Sequence, residues 1–289
     1  MKVGLFAPLT NPYHTPEYLT ALGTGAEARG FHSIWLGEHV LLFDRYDSTY
    51  PYADDGKIQI AQASGLLEAF TALAYLAAGT SRIRLGTGIC LVPQRNPVYT
   101  AKEAAAVDYL SHGRLDFGVG VGWLKEEFDA LNVPFERRGA RCREYLEVIR
   151  RLWCDEVSAF EGEFYRLPPS RQFPKPVQTP HPPIFFGGES EAALRRVADL
   201  GQGWYGFNLS PEQAAERIGR LKTLLAERGR EPDRVQIAIG TYTHPVNEAS
   251  IAAYRAAGAD QLVLLLLARN VEQLKARLDG FAENVLAHA

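Results

Sequence analysis

The chain has 289 residues, 31 Lys and Arg against 34 Asp and Glu, and a formal net charge of -3. That balance offers no excess of cations for tracking a phosphate backbone and argues against a nucleic-acid binder, leaving a small molecule as the expected partner. With 46% hydrophobic and 22% charged residues the composition is globular, and no stretch reaches the ~20 unbroken apolar residues of a membrane span.

Cys90, Cys142 and Cys154 form no CxxC pair, so neither a disulfide framework nor a zinc site is signalled and a reducing cytoplasm is the expected compartment. The opening MKVGLFAP passes straight into an apolar run of strand length, without the apolar core and cleavage site of a signal peptide, so no export is expected.

Along the chain, short β-rich runs alternate with amphipathic helical runs, the pattern of parallel strands joined by helical crossovers. Strands are predicted at 2–8, 33–37, 83–89, 115–120, 183–187, 203–206, 235–240 and 261–267. Thr15, Asn96 and Ser210 each precede a proline, which places a capping oxygen before a residue whose missing N–H costs nothing at the first helical position. Tyr145, Leu146, Ile149, Leu152 and Trp153 share one face of the fourth crossover, and Val271, Leu274, Leu278, Phe281 and Val285 share one face of the last helix. Eight strands, each followed by a helix, suit a closed (β/α)₈ TIM barrel occupying 1–289 as one domain, because closure leaves no strand edge exposed.

Two connections are long, 40–67 after the second strand and 155–181 before the fifth, and loops of that length tend to be functional lids. The first carries Phe43, Tyr46, Tyr50 and Tyr52, which can cover a planar ligand or pack as a surface excursion.

In such barrels the active site lies at the carboxyl ends of the strands. Glu38 and His39 end the second strand, and an imidazole titrating near neutrality makes His39 an acid/base candidate, against the plainer role of a rim hydrogen bond. The third strand ends in LGTGIC, where glycine marks a bulge, a close backbone approach to a ligand or a loop entry. Gly118, Gly120 and Gly122 have GxGxG spacing rather than a dinucleotide fingerprint. Gly187 and Gly188 precede Glu189 and Ser190 at a helix start, whose free N–H groups suit a phosphate-sized anion. Glu189 would have to turn away from such an anion. Arg137, Arg138, Arg141 and Arg143 cluster at another helix start, where a solvated surface is the plainer reading and a bound anion the sharper one. The seven histidines are scattered without HxH or HExxH, so a catalytic metal is not expected.

The blocks GFHSIWLGEH, SRIRLGTGICLVPQRNPVYTAKEAAAVDYLSHGRLDFGVGVGW, KPVQTPHPPIFFGG and ADLGQGW resemble the luciferase-like monooxygenase family over essentially the whole length. The resemblance implies an F420-dependent oxidoreductase. It places a non-prolyl cis peptide at Gly88–Ile89 under the cofactor ring, with Thr87 and Asn96 among the cofactor-binding residues and Glu38 and His39 beside the deazaflavin. Gly118, Gly120 and Gly122 would follow the cofactor's side chain, and Gly187, Gly188, Glu189 and Ser190 its phosphate. Members oxidising sugar phosphates are acidic at Trp123, so a different substrate is expected. The alternatives are a reduced-FMN-dependent monooxygenase and a flavin-binding protein without turnover. A homodimer is implied as well, although the alanine face around Ala101, Ala104 and Ala105 could equally pack inside the subunit.

Overall fold

The computed structural model describes residues 1–58, 60 and 64–289. Its strands are β1 (Lys2–Phe6), β2 (Ser33–Leu36), β3 (Arg84–Thr87), β4 (Leu115–Val119), β5 (Ser158–Glu161), β6 (Arg166–Ser170), β7 (Ile184–Gly187), β8 (Gly203–Phe207), β9 (Gln236–Gly240) and β10 (Gln261–Leu265). Eight of these form a closed parallel barrel in the order β1-β10-β9-β8-β7-β4-β3-β2. They are the eight predicted runs, and β1 pairs with both β10 and β2, so closure consumes both edges.

The helices outside the barrel are α1 (Pro16–Ala28), α2 (Ala69–Ala78), α3 (Pro97–Leu110), α4 (Lys125–Ala130), α5 (Arg138–Cys154), α6 (Glu191–Leu200), α7 (Pro211–Ala226), α8 (Glu248–Ala257) and α9 (Val271–Asn284). The three expected caps are in place. Thr15 accepts from Tyr18 N, Asn96 from Val98 and Tyr99 N, and Ser210 from Gln213 N within a full capping box. Ala101, Ala104 and Ala105 have no exposed surface, so the alanine face lies inside the subunit. No helix among the described residues is long and apolar enough to cross a membrane.

Large rings fill the barrel interior where the facing strand carries glycine. A Cβ at Gly86 would collide with Trp35, and one at Gly203 with Phe185, so each glycine makes room for an aromatic neighbour. Trp35, Phe185, Tyr205, Ala238 and Val263 form this inner cluster, with Phe6, Ile89 and Phe207 packed against it.

The segment 155–181 departs from the lid expectation. It contains the antiparallel hairpin β5-β6, which packs on α5: Arg151 donates to Ala159 O, and Ser158 Oγ to Arg151 O. Farther along, the Asp108 carboxylate accepts from the backbone of Val177 and Gln178, and Gln178 donates to Leu115 O at the start of β4. These bonds run the segment along α3 and α5 toward the amino-terminal end of the barrel, away from the strand ends where ligands bind.

Candidate active site

β2 stops at Leu36, and the next rim residues, Glu38 and His39, take different partners. His39 Nδ1 lies 3.1 Å from Glu127 Oε2. Glu127 sits in the first turn of α4 with no exposed surface. Its Oε1 accepts the N–H groups of Val40 (2.6 Å) and Leu41 (3.1 Å), and Oε2 also accepts from Gln94 Nε2 (3.1 Å). Burial pushes the Glu127 carboxyl upward, but the hydrogen bond and charge of His39 and the donors Gln94 and Leu41 outweigh it and hold the group below its ordinary value. An ionised carboxylate only accepts, so the Glu127 contact places a hydrogen on Nδ1. His39 Nε2 is then the nitrogen left to take up or release a proton.

Glu38 turns instead into the protein. It accepts the Leu91 N–H at 2.6 Å and pairs with Arg95, which also bridges Glu103 at 2.5 Å. Burial raises its carboxyl above the usual range despite Arg95.

Of the 40–67 connection, 59 and 61–63 lie outside the described residues; Tyr46, Tyr50 and Tyr52 turn toward the mouth, the first of the two readings of its aromatic groups. Adjacent to Glu127, Glu126 accepts the backbone N–H of Asp47 (2.7 Å) and Ser48 (3.2 Å) and the Ser48 hydroxyl (2.6 Å). Neighbouring acids of α4 thus clamp the segment at two points. Trp123 meets His39, Tyr46 and Tyr50 edge-on at 5.7, 5.7 and 5.2 Å between centroids. Tyr50 continues to Tyr52 (5.5 Å), Tyr52 to Phe207 (4.9 Å) and Phe207 to Tyr242 (4.7 Å). A chain of rings therefore crosses from the end of β2 to the end of β8.

Opposite His39, Glu189 turns away from the start of α6. Its Oε2 accepts the Tyr52 hydroxyl at 2.9 Å and its Oε1 the Phe207 N–H at 2.7 Å. Burial pushes this carboxyl up to about 7, against the opposing pull of those two donors. Gly188 has φ +99°, and Ser190 caps α6 through Ala193 N.

The peptide joining Gly88 and Ile89 is cis, as the family resemblance implied. A Cβ on Gly118 would collide with the Thr87 carbonyl oxygen, one on Gly120 with Ile89 Cδ1, and one on Gly187 would stand 2.7 Å from the same atom. Those three glycines are accounted for by the close fit of the bulge itself. Gly122 is different: its φ is +79° and it lies against Phe128. Thr87 Oγ1 donates to Gly118 O at 2.6 Å, and Cys90 and Gly120 extend the ladder past the end of β3. Thr87 is consequently buried between strands, and Asn96 is an exposed cap of α3 whose side chain faces Val98 and Tyr99 N–H.

The four arginines have protein partners. Arg137 pairs with Glu163 on the surface, and Arg138 donates to Gly122 O with its guanidinium over Phe135. Arg141 donates to Pro134 and Glu136 carbonyls, and Arg143 reaches Asp199 at 3.4 Å. Glu127 was not anticipated from sequence: it is one of two consecutive acids at a helix start, which usually face solvent.

The profile of the luciferase-like monooxygenase family matches residues 1–284. A protein of Mycobacterium tuberculosis described as uncharacterised is 34% identical over 209 residues, 72% of each chain. The oxygenase component of a flavin-dependent trigonelline monooxygenase from Acinetobacter baylyi is 32% identical over 235 residues, 79% of this chain and 59% of that protein. Among solved structures, the coenzyme F420-dependent tetrahydromethanopterin reductase of Methanopyrus kandleri superposes with a TM-score of 0.78 at 17% identity, over 100% of this chain and 99% of the other. Its fold is therefore shared. With closed barrel, cis Gly88–Ile89 and near-complete profile in agreement, the chain belongs to the luciferase-like monooxygenase family.

Proposed function

We propose that the chain is one catalytic domain over 1–289, an oxidoreductase transferring a hydride between coenzyme F420 and a small organic substrate. The observation that carries this reading is the His39–Glu127 pair at the barrel mouth, beside the Gly88–Ile89 segment. The residues fit a flat ring. Gly88 presents no side chain at the mouth, aromatic rings cover it, and the buried Tyr205 hydroxyl nearby has no partner among the described residues.

A bound deazaflavin supplies or accepts the hydride, and the protein supplies placement and proton handling. Glu127 fixes the His39 tautomer, and His39 Nε2 holds or takes the accompanying proton. Trp123, Tyr50 and Tyr52 exclude water from the mouth. Glu38 supports this arrangement by fixing the Leu91 backbone and Arg95 behind the bulge. Gly122, Gly188, Glu189 and Ser190 border the cofactor's polar end, and Thr87 and Asn96 act through the strand and helix they stabilise. A homodimer would use surface other than the alanine face, and α3 offers exposed Tyr99, Tyr109 and Leu110.

Support for F420 comes from two solved neighbours covered almost end to end, the reductase above and an F420-dependent secondary alcohol dehydrogenase with an F420–acetone adduct (TM-score 0.77, 17% identity). The second reading is reduced-FMN-dependent monooxygenation. It is favoured by the higher identity to the trigonelline enzyme and to an FMNH2-dependent dimethylsulfone monooxygenase of Pseudomonas putida, 35% over 144 residues. However, the chain spans only 59% and 39% of those proteins. Fluorescence titration with F420 and with FMN separates the readings. Saturable binding of F420 with weak FMN binding is expected, and tight FMN binding without F420 binding would overturn the assignment.

A further inference from the structure

We propose that the Tyr205 hydroxyl is a cofactor contact, the polar group on the barrel floor that donates a hydrogen bond to a ring system seated over Gly88–Ile89. The proposal rests on the reading of this mouth as a flavin or deazaflavin site.

Tyr205 lies in the middle of β8 and points into the barrel. Its ring packs on Trp35 with centroids 4.9 Å apart and lies stacked on Phe207 at 6.3 Å and 23°. Phe185, Ala238 and Val263 complete an apolar surround. The residue is 2% exposed, yet its hydroxyl has no hydrogen-bond partner among the described residues. Burying an unpaired hydroxyl is costly, and phenylalanine would fill the same space without that cost. A hydroxyl kept here calls for a partner, and a ligand seated at the mouth would supply it.

Its position indicates which partner. A Cβ on Gly88 would stand 3.6 Å from Tyr205 Cζ, so the tip of the phenol abuts the backbone where β3 ends and the mouth begins. Phe207, against which the Tyr205 ring lies, is also met by Tyr52 of the covering segment at 4.9 Å between centroids, so the phenol stands close below that segment. Burial raises the Tyr205 phenol far above its usual range, so it stays protonated and serves as a donor. The matching ligand is a planar heterocycle with nitrogen or carbonyl acceptors.

The test is Tyr205→Phe, measured by thermal melting without ligand and by titration with F420 and with FMN separately. The unliganded variant should melt at or above the wild-type temperature, because the unpaired hydroxyl is gone. Its affinity for whichever cofactor the wild type accepts should fall roughly two- to tenfold, the range of one ordinary hydrogen bond, with a smaller ligand-induced rise in melting temperature and a displaced absorption band of the bound cofactor. Unchanged affinity and spectrum would overturn the contact while leaving the site reading intact. A lowered melting temperature with unchanged affinity would do the same, marking the hydroxyl as structural. Wild-type protein that binds neither cofactor would overturn the site reading and this contact together. Should Tyr205→Phe not fold, Tyr205→Leu removes ring and hydroxyl, and its affinity should fall at least as far.

Discussion

His39 Nδ1 and Glu127 Oε2 are 3.1 Å apart, and the same carboxylate accepts the backbone N–H groups of Val40 and Leu41. One buried group therefore fixes both the imidazole and the root of the segment covering the mouth. In Glu127→Gln the amide can present an N–H to Nδ1 and favour the opposite tautomer. Turnover at saturating substrate should fall, by an amount bounded by the ~10²–10⁴-fold worth of a complete general acid or base, while cofactor affinity changes little. A variant with wild-type turnover would show that the tautomer is immaterial.

Gly118 and Gly120 both pack against the bulge, but their substitution by alanine should differ in cost. At Gly118 the added methyl meets the Thr87 carbonyl, which is backbone, whereas at Gly120 it meets the end of the Ile89 side chain. Gly118→Ala should lose at least ~3 kcal/mol, the upper part of the range for overpacking, and Gly120→Ala about 1 kcal/mol. Denaturant unfolding measures both. Adding Ile89→Val to Gly120→Ala should recover part of the loss and should not help Gly118→Ala. Equal costs at the two positions would contradict this packing.

Glu189 should leave a signature in the pH dependence of stability. Its carboxyl is pushed to about 7 in the folded protein against 4.5 as its ordinary value. Below pH 4.5 both folded and unfolded chains hold the proton. As pH rises from there, the unfolded chain releases it first, so this group's stabilising contribution declines and is lost once pH has passed through about 7. Relative to Glu189→Gln, the wild type should lose a few degrees of melting temperature between pH 4.5 and pH 8. A constant difference between the two proteins over that range would refute the raised value.

Local chemistry made most of the fold legible in the sequence. Eight short apolar runs and the Thr15, Asn96 and Ser210 caps are signals carried within a few residues. His39 was legible because strand ends are where barrel chemistry gathers. The role of Glu127 was hidden because its four donors come from the Val40 and Leu41 backbone, His39 and Gln94, all more than 30 residues away. The glycines of strand four read only as a GxGxG spacing, and what a side chain would meet at Gly118 and Gly120, Thr87 and Ile89 of the neighbouring strand end, is visible only in the fold. The hairpin β5-β6 escaped notice because its strands are short and mostly exposed, so they lack an apolar alternation to mark them.

The most direct test of the proposed chemistry is single-turnover oxidation of bound reduced cofactor in His39→Ala, followed by absorbance at saturating substrate, where product release does not interfere. Removing an acid or base should slow this step by ~10²–10⁴-fold, whereas losing one neutral hydrogen bond to the cofactor costs only about 1 kcal/mol and would appear as weaker binding. The expected result is a rate at least ~10²-fold below wild type with nearly normal cofactor affinity. A rate within a few-fold of wild type, with cofactor binding weakened, would contradict the assignment of His39 as the proton-transfer group.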